Sequence, residues 1–440
     1  MNKNTIGKQF FKYVSLNIMG MIGLSLYILA DTFFIARGIG SDGLTALNLA
    51  IPMYGFMYGV GMMVGMGGAT RFSIVKGQSG EQKEGVGNRI FTIAFTYVAI
   101  TSLFFVVLSG FSGPLSSLLG ADSVTYEMTR VYLKVILAFA PMFMLNHLFV
   151  CFVRNDGNPQ LAMAGMLAGT LFNIVLDYVF IYPCNMGMGG AALATGGSPI
   201  ISMLILSIHF FKKKNTFHFT RVKPKLKEIW DISILGIPSL ITEMSNAVVI
   251  LIFNFLILKL AGNLGVAAYG VVANIALVVI SIFTGIAQGV QPLLSENYGR
   301  GNKKDVGKAF RYALLTALVF AIGVYLFTFF QAEFLSGLFN KDGNKELTRI
   351  AAKGLRIYFV SFFFAGANII SATYFSSIDT PKNGFIISIL RGIVIILPMA
   401  FLLSNLMGIT GVWLSIPVTE ALVLMTAVFL MRKGTNRKSV

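Results

Sequence analysis

The chain is poor in the residues that carry most soluble chemistry. Its 440 residues include two cysteines, three histidines and two tryptophans, and only 12% are charged. Two cysteines make no disulfide framework. Cys151 falls near the inner end of the fourth apolar run and Cys184 beyond the outer end of the fifth, so they do not bridge. Three scattered histidines form no His-Glu-x-x-His site and no nucleophile–base arrangement is visible, which sets aside a membrane-embedded enzyme. Acids are the scarcer charge: 18 Asp and Glu against 35 Lys and Arg, a formal net charge of +17.

What is abundant is apolar. Hydrophobic residues make up 55% of the chain and mean hydropathy is +0.76, more than a soluble protein of this size needs and about what a bundle of membrane helices needs. Spanning runs are expected near 13–36, 44–70, 90–109, 130–152, 160–182, 190–211, 232–260, 265–297, 308–330, 352–374, 384–404 and 410–431. The 46 glycines and 21 methionines suit close helix approach and an adaptable surface.

The excess positive charge is unevenly placed, which argues against nucleic acid as a partner. With the amino terminus (Lys3, Lys8, Lys12) inside and sides alternating, most of the 35 Lys and Arg fall on the inner side. The richest segments are Lys212 to Lys227, Arg300 to Arg311 and Arg432 to Lys438; the one untidy outer loop is 331–353, with Lys341, Lys345 and Arg349 beside Glu333, Asp342 and Glu346. The expectation is a multi-pass monomer in the cell (inner) membrane with both termini cytoplasmic and the first span retained, since no small-residue cleavage site follows it.

The long loop 212–231 divides the spans six and six: an N-terminal lobe (1–211) and a C-terminal lobe (232–440). One constant offset sets Gly40 on Gly262, Gly43 on Gly265, Ala46 on Ala268, Gly67 on Gly289, Gly77 on Gly299, Arg89 on Arg311 and Pro159 on Pro381. Six spans per lobe make the repeat parallel, an arrangement in which transporters place the substrate path between the halves. The glycine-rich turns Lys76 to Gly80 and Tyr298 to Asn302 follow membrane helices and lack the Gly-Lys-Ser/Thr ending of a nucleotide site. Pro52, Pro141, Pro238, Pro292, Pro398 and Pro417 fall inside spans and permit kinks.

Within these runs, acids stand out. Asp31 interrupts Val14 to Ile35 and Asp177 interrupts Leu161 to Ile181, at nearly the same depth. A carboxylate there costs at least ~2.5 kcal/mol and usually marks an ion or substrate pathway. Asn17, Leu24, Tyr27 and Asp31 share one helical stripe, and Asn173 stacks on Asp177. The repeat offset carries Asp31 to Phe253 and Asp177 to Met399, so the acids belong to the first half alone. Glu243, Glu420 and Arg391 are further intramembrane charges; Glu243 either draws a cationic substrate or pairs with Arg391, and Glu420 has the same two readings. His147 is a candidate proton shuttle, although a lone histidine on an apolar helix more often packs. Met53, Met57, Met62, Met63 and Met66 line the second span, either around an adaptable cavity or against lipid.

Tyr27-Ile28-Leu29-Ala30-Asp31-Thr32-Phe33-Phe34-Ile35 resembles the first-helix motif of the multidrug and toxic compound extrusion (MATE) transporters. Ala46 to Pro52, Asn173 to Asp177, Gly187 to Ala194 and Gln288 to Pro292 extend the likeness over essentially the whole chain, which looks most like the branch containing the DinF and MepA proteins. The resemblance implies an all-α integral membrane protein of twelve helices in two six-helix lobes related by a pseudo-two-fold axis. It also implies an antiporter that exports organic compounds against H+ or Na+ with no cofactor, with Asp31, Asn173 and Asp177 as the ion-coupling group. Na+ could sit at Asp31, Asp177 or Glu243, the last a candidate second site. Where many relatives carry a proline early in the first helix, this chain has Leu16 and Asn17. The alternative of the same general fold, a lipid-linked saccharide flippase, calls for a cationic groove, and here acids outnumber bases. A channel is disfavoured by the duplicated lobes.

Overall fold

The computed structural model describes residues 5–78, 81–338 and 344–436; Lys3, Ser79, Gly80, Lys341, Asp342 and Lys438 lie outside them. The described elements are helices throughout. The first three spans are α1 (Ile6–Gly38), α2 (Ser41–Gly77) and α3 (Glu81–Ser109). The fourth, α4, is a pair, Tyr126–Ala138 and Ala140–Asn155, bent by 48°. It is followed by α5 (Pro159–Ile181) and α6 (Gly187–Phe211).

A 74-residue helical stretch, Leu226–Gly299, comes next. Straight, it would measure about 110 Å, several times the hydrocarbon thickness of a bilayer. It breaks at Gly262 (φ 61°, ψ −160°) into α7 (226–261) and α8 (263–299). The repeat partner Gly40 has φ 101° and ψ −168° at the start of α2. This region of backbone space is essentially reserved for glycine, so the matched pair turns the chain at equivalent points of the two halves. The last spans are α9 (Lys303–Phe330), α10 (Lys345–Ser377), α11 (Pro381–Met407) and α12 (Ile409–Asn436). Short helices Ser112–Leu118 and Ala332–Leu338 precede α4 and α10, a further echo of the repeat. Within α11, Leu390–Val394 forms a π turn, closed by Ile395 N–H donating to the Leu390 carbonyl at 3.0 Å.

Twelve spans put the first and last described residues on one face of the bundle, the near face; the opposite one is the far face. Two main apolar cores form, one mostly from α2, α3, α4 and α6, the other mostly from α7 to α12. They trade ends at the near face. Phe10, Val14 and Ile18 of α1 sit in the second core, and Ile232 of α7 sits in the first.

Small residues permit this exchange. A Cβ on Gly67 would overlap the Ile232 carbonyl oxygen, and one on Gly289 would lie 2.8 Å from Val14 Cα. Gly77 and Gly299, equivalent in the repeat, meet each other: a Cβ on either would overlap a carbonyl oxygen of the facing helix, Glu296 and Ile74 respectively. Polar side chains bolt the same region. Asn17 donates to the Gly285 carbonyl at 3.0 Å, and Arg154 Nη1 donates to Asn17 Oδ1 at 2.8 Å and Gln288 Oε1 at 3.1 Å. Asn155 donates to Gln291 Oε1 at 3.0 Å, and Gln291 donates to Thr70 and Ser295 at 3.0 and 3.1 Å. Buried polar groups satisfied in this way fix a unique register between the packed surfaces.

Candidate functional site

Where the glycine contacts end, the two halves part around a cavity of about 450 Å³. Its first wall comes from α1 and α2. Tyr27 and Asp31, one turn apart on α1, both face it. The Tyr27 hydroxyl meets the Tyr54 hydroxyl of α2 at 3.2 Å. Met62 and Met66 lie on the floor, and Met57, Met62, Met63 and Met66 are all buried, so most of the methionine stripe faces protein rather than lipid.

Behind the α1 wall lies α5. Gly23 of α1 lets the Leu167 side chain approach closely, and two to three turns further along the pair Asp31 and Asp177 come within hydrogen-bonding reach of each other. Asp31 is 6% exposed and Asp177 0%. Asn173, one turn below Asp177, completes the group. With its amide oriented to suit both neighbours, its nitrogen donates to Asp177 Oδ2 at 3.2 Å and its oxygen accepts from Thr195 N–H at 3.3 Å. One oxygen of each acid, Oδ1, is buried without a partner among the described residues. Two neighbouring carboxyl groups, each with an orphaned oxygen, are an arrangement a bound cation or a shared proton would satisfy.

The second wall carries the remaining charges. Glu243 of α7 lines the cavity and has no hydrogen-bond or ion-pair partner among the described residues. Arg391, on the π turn of α11, binds Glu420 of α12 through Nε at 2.5 Å. Arg391 therefore pairs with Glu420 rather than with Glu243. Asn368 of α10 donates to both Glu420 Oε2 and the Glu420 carbonyl at 2.8 Å.

Of the residues singled out from sequence, Tyr27, Asp31, Glu243 and Glu420 line the cavity. Asn173 and Asp177 stand behind its wall. Asn17 lies in the near-face bolt, and His147 packs its ring edge-on against Tyr58 at 4.1 Å. Sequence reasoning missed Arg154, Asn155 and Asp156. Each is buried, and Asp156 accepts from Lys76, His209 and both the backbone N–H and the hydroxyl of Thr216. The available signal was three consecutive polar residues followed by glycine at the end of a span. Asn368 was missed as well, a lone amide in an apolar helix.

The family model MatE matches the chain twice, over residues 17–179 and 238–402. The chain belongs to the MatE family. Each matched stretch covers most of one half, in keeping with the repeat. The MatE chain is similar over its full length to the multidrug export protein MepA of Staphylococcus aureus (strain MRSA252), 27% identical over 445 residues, covering 100% of this chain and 96% of that protein. MepA of Staphylococcus saprophyticus is 26% identical over 437 residues, covering 98% and 95%. Among solved structures, a crystal structure of MATE in complex with MaL6 aligns with TM-score 0.92 and 22% identity, over 99% of this chain and 98% of the other. An outward-facing multidrug resistance MATE family transporter aligns with TM-score 0.86 and 24% identity, over 99% and 98%. These likenesses establish the MATE fold for the twelve helices described above.

Proposed function

We propose that this MatE chain is a secondary antiporter that exports organic, cationic or amphiphilic compounds in exchange for H+ or Na+, with Asp31, Asn173 and Asp177 holding the coupling ion. The observation that carries the reading is the double placement of Asp31. Its carboxyl group belongs to the cavity wall and also touches the buried Asp177. Two carboxylates in contact and out of water repel when both are charged, so the pair favours a bound proton or metal cation. A cationic substrate in the cavity competes for the same negative charge. Ion binding and substrate binding are then mutually exclusive, which is the requirement for antiport. Alternating access follows if the near-face bolt opens when the far face closes.

The driving force is adequate. One charge crossing the membrane gains ~2.3 kcal/mol per 100 mV, and each pH unit adds about 1.4 kcal/mol. MepA relatives, named as multidrug export proteins, support the substrate class. The flippase reading is weaker, because three acids, Asp31, Glu243 and Glu420, line the cavity against one base, Arg391. In this reading the protein is a monomer of the cell membrane with cytoplasmic termini, and the segment 212–231, expected as a loop but helical from Leu226 onward, joins lobes 1–211 and 232–440.

Dye efflux from proteoliposomes under an imposed proton or sodium gradient tests it. One gradient should accelerate efflux, and Asp31→Asn and Asp177→Asn should each reduce the acceleration at least about tenfold while leaving the protein folded. Coupled efflux intact in both variants would remove the site assignment.

A further inference from the structure

The second wall of the cavity has a feature that a purely cation-binding site does not need. Arg391 reaches the cavity at mid-span, and its hydrogen bond to Glu420 uses Nε. No partner for its two terminal nitrogens is found among the described residues, and the side chain is 17% exposed. The same cavity is lined by buried polar atoms with no partner: the hydroxyls Ser245 Oγ, Thr419 Oγ1 and Ser361 Oγ, which can donate, and the acceptor Asn368 Oδ1. All four residues line the cavity and are at most 4% exposed. Native structures rarely leave such groups unmet, and this many on one wall point to a polar ligand group.

We infer that this wall is a carboxylate subsite, so that the preferred substrates are amphiphiles carrying both an amine cation and a carboxylate. The guanidinium edge formed by Nη1 and Nη2 suits two carboxylate oxygens at once. The hydroxyls of Ser245 and Thr419 supply further donors. The π turn sets Arg391 apart from the regular helical course of α11, a distortion that often marks functional sites, and Glu420 holds the guanidinium from behind. A metal cation is a poor occupant here, since it would sit against the arginine. The cationic end of the same molecule has its own partner. Glu243 is unpaired on the adjoining helix and lies against Gly59 of α2, while Ser245, two residues on and so on another face of α7, packs against Gly392 beside Arg391; the two charged ends of a substrate would therefore be held apart. The inference rests on the antiporter reading for its physiological meaning but not for its test.

The test uses a matched pair of dyes, rhodamine 110, which carries a free carboxylate, and its methyl ester, rhodamine 123. Their Kd values are measured by fluorescence polarisation on the full chain in lipid nanodiscs, with no gradient. Arg391→Gln should raise the ratio of the acid's Kd to the ester's about tenfold, with Arg391→Lys falling between. Because Arg391→Gln strips Glu420 of its partner, the double variant Arg391→Gln/Glu420→Gln is measured as well and should show the same ratio. Ester binding by each variant reports that it is folded. A ratio that stays within twofold of the wild type overturns the subsite, as does a wild-type chain that fails to bind the acid. Ester and acid binding without gradient-driven efflux would instead remove the antiporter reading and leave the subsite standing.

Discussion

Gly299→Ala should drive the near face open. The added Cβ would overlap the Ile74 carbonyl oxygen and lie 3.2 Å from Gly77 Cα, so nothing flexible can yield. To regain ordinary contact the helices must separate by about 1 Å, and overpacking of this kind costs typically 1–3 kcal/mol. That cost exists only while the near face is closed. The gain of Ala over Gly in a helix, roughly 0.5–1 kcal/mol, applies in any state and cancels. A differential of about 2 kcal/mol shifts the closed-to-open ratio roughly 30-fold. The reporter is Ser295→Cys in a chain with Cys151 and Cys184 replaced by serine; Ser295 is 0% exposed and hydrogen-bonded to Gln291 in the bolt. Labelling by a membrane-impermeant maleimide from the near side should rise by up to that factor. Gly307→Ala, where a Cβ meets nothing within 4 Å, is the control. If Gly299→Ala labels no faster than Gly307→Ala, the glycine crossing does not govern closure.

Arg154→Ala removes bonds to Asn17 and Gln288 from the same bolt and should also accelerate Ser295→Cys labelling, by roughly tenfold given the worth of charge-assisted bonds. Gly262→Ala forces a side chain into glycine-only backbone space and should destabilise by about 1–3 kcal/mol, read as a lowered Tm of the purified protein. Asp156, in the turn between α4 and α5, shows opposed influences. Burial pushes its carboxyl up, but His209, Lys76 and Thr216 together prevail and hold it below the usual range. A depressed carboxyl contributes stability above its unfolded value of about 4 and loses it as pH falls through the folded value. Tm should therefore drop as pH is lowered below about 4, and Asp156→Asn should lower Tm at neutral pH while flattening that acid limb. A steeper acid limb in the variant would contradict the sign. Glu243→Gln should weaken binding of a purely cationic dye about tenfold, measured by fluorescence polarisation.

Much of the fold was legible because its signals are large. Spans announce themselves in hydropathy, and the matched glycines Gly40 and Gly262 fall between expected spans, where the backbone turns at both places. Asp31 and Asp177 were legible because an acid at that depth is expensive, but equal depth alone does not make neighbours; the packing of α5 on α1 brings them together. Asn17 and Asp31 share a helical stripe, yet they end up at opposite ends of the molecule's working parts, since a helix of 33 residues crosses from the bolt to the cavity. Depth could not choose a partner for Arg391: Glu243 and Glu420 lie at comparable levels, and only the packing of α11 on α12 decides. The Arg154 cluster was hidden because a charge at a span's end reads as a loop charge, whereas here the closure of one lobe on the other buries it. The π turn at Leu390–Val394 leaves no mark in composition at all.

The traded helix ends bear on how the chain is made. While only the first six spans have been synthesised, Phe10, Val14 and Ile18 have no core to enter, because their neighbours, among them Phe283, Ile286 and Val290, come more than 260 residues later in the sequence. The first half therefore leaves the ribosome with an unfinished near-face end, held for completion by the second. Sealing would then come last at the near face, the same surface that opens in the proposed alternating-access cycle.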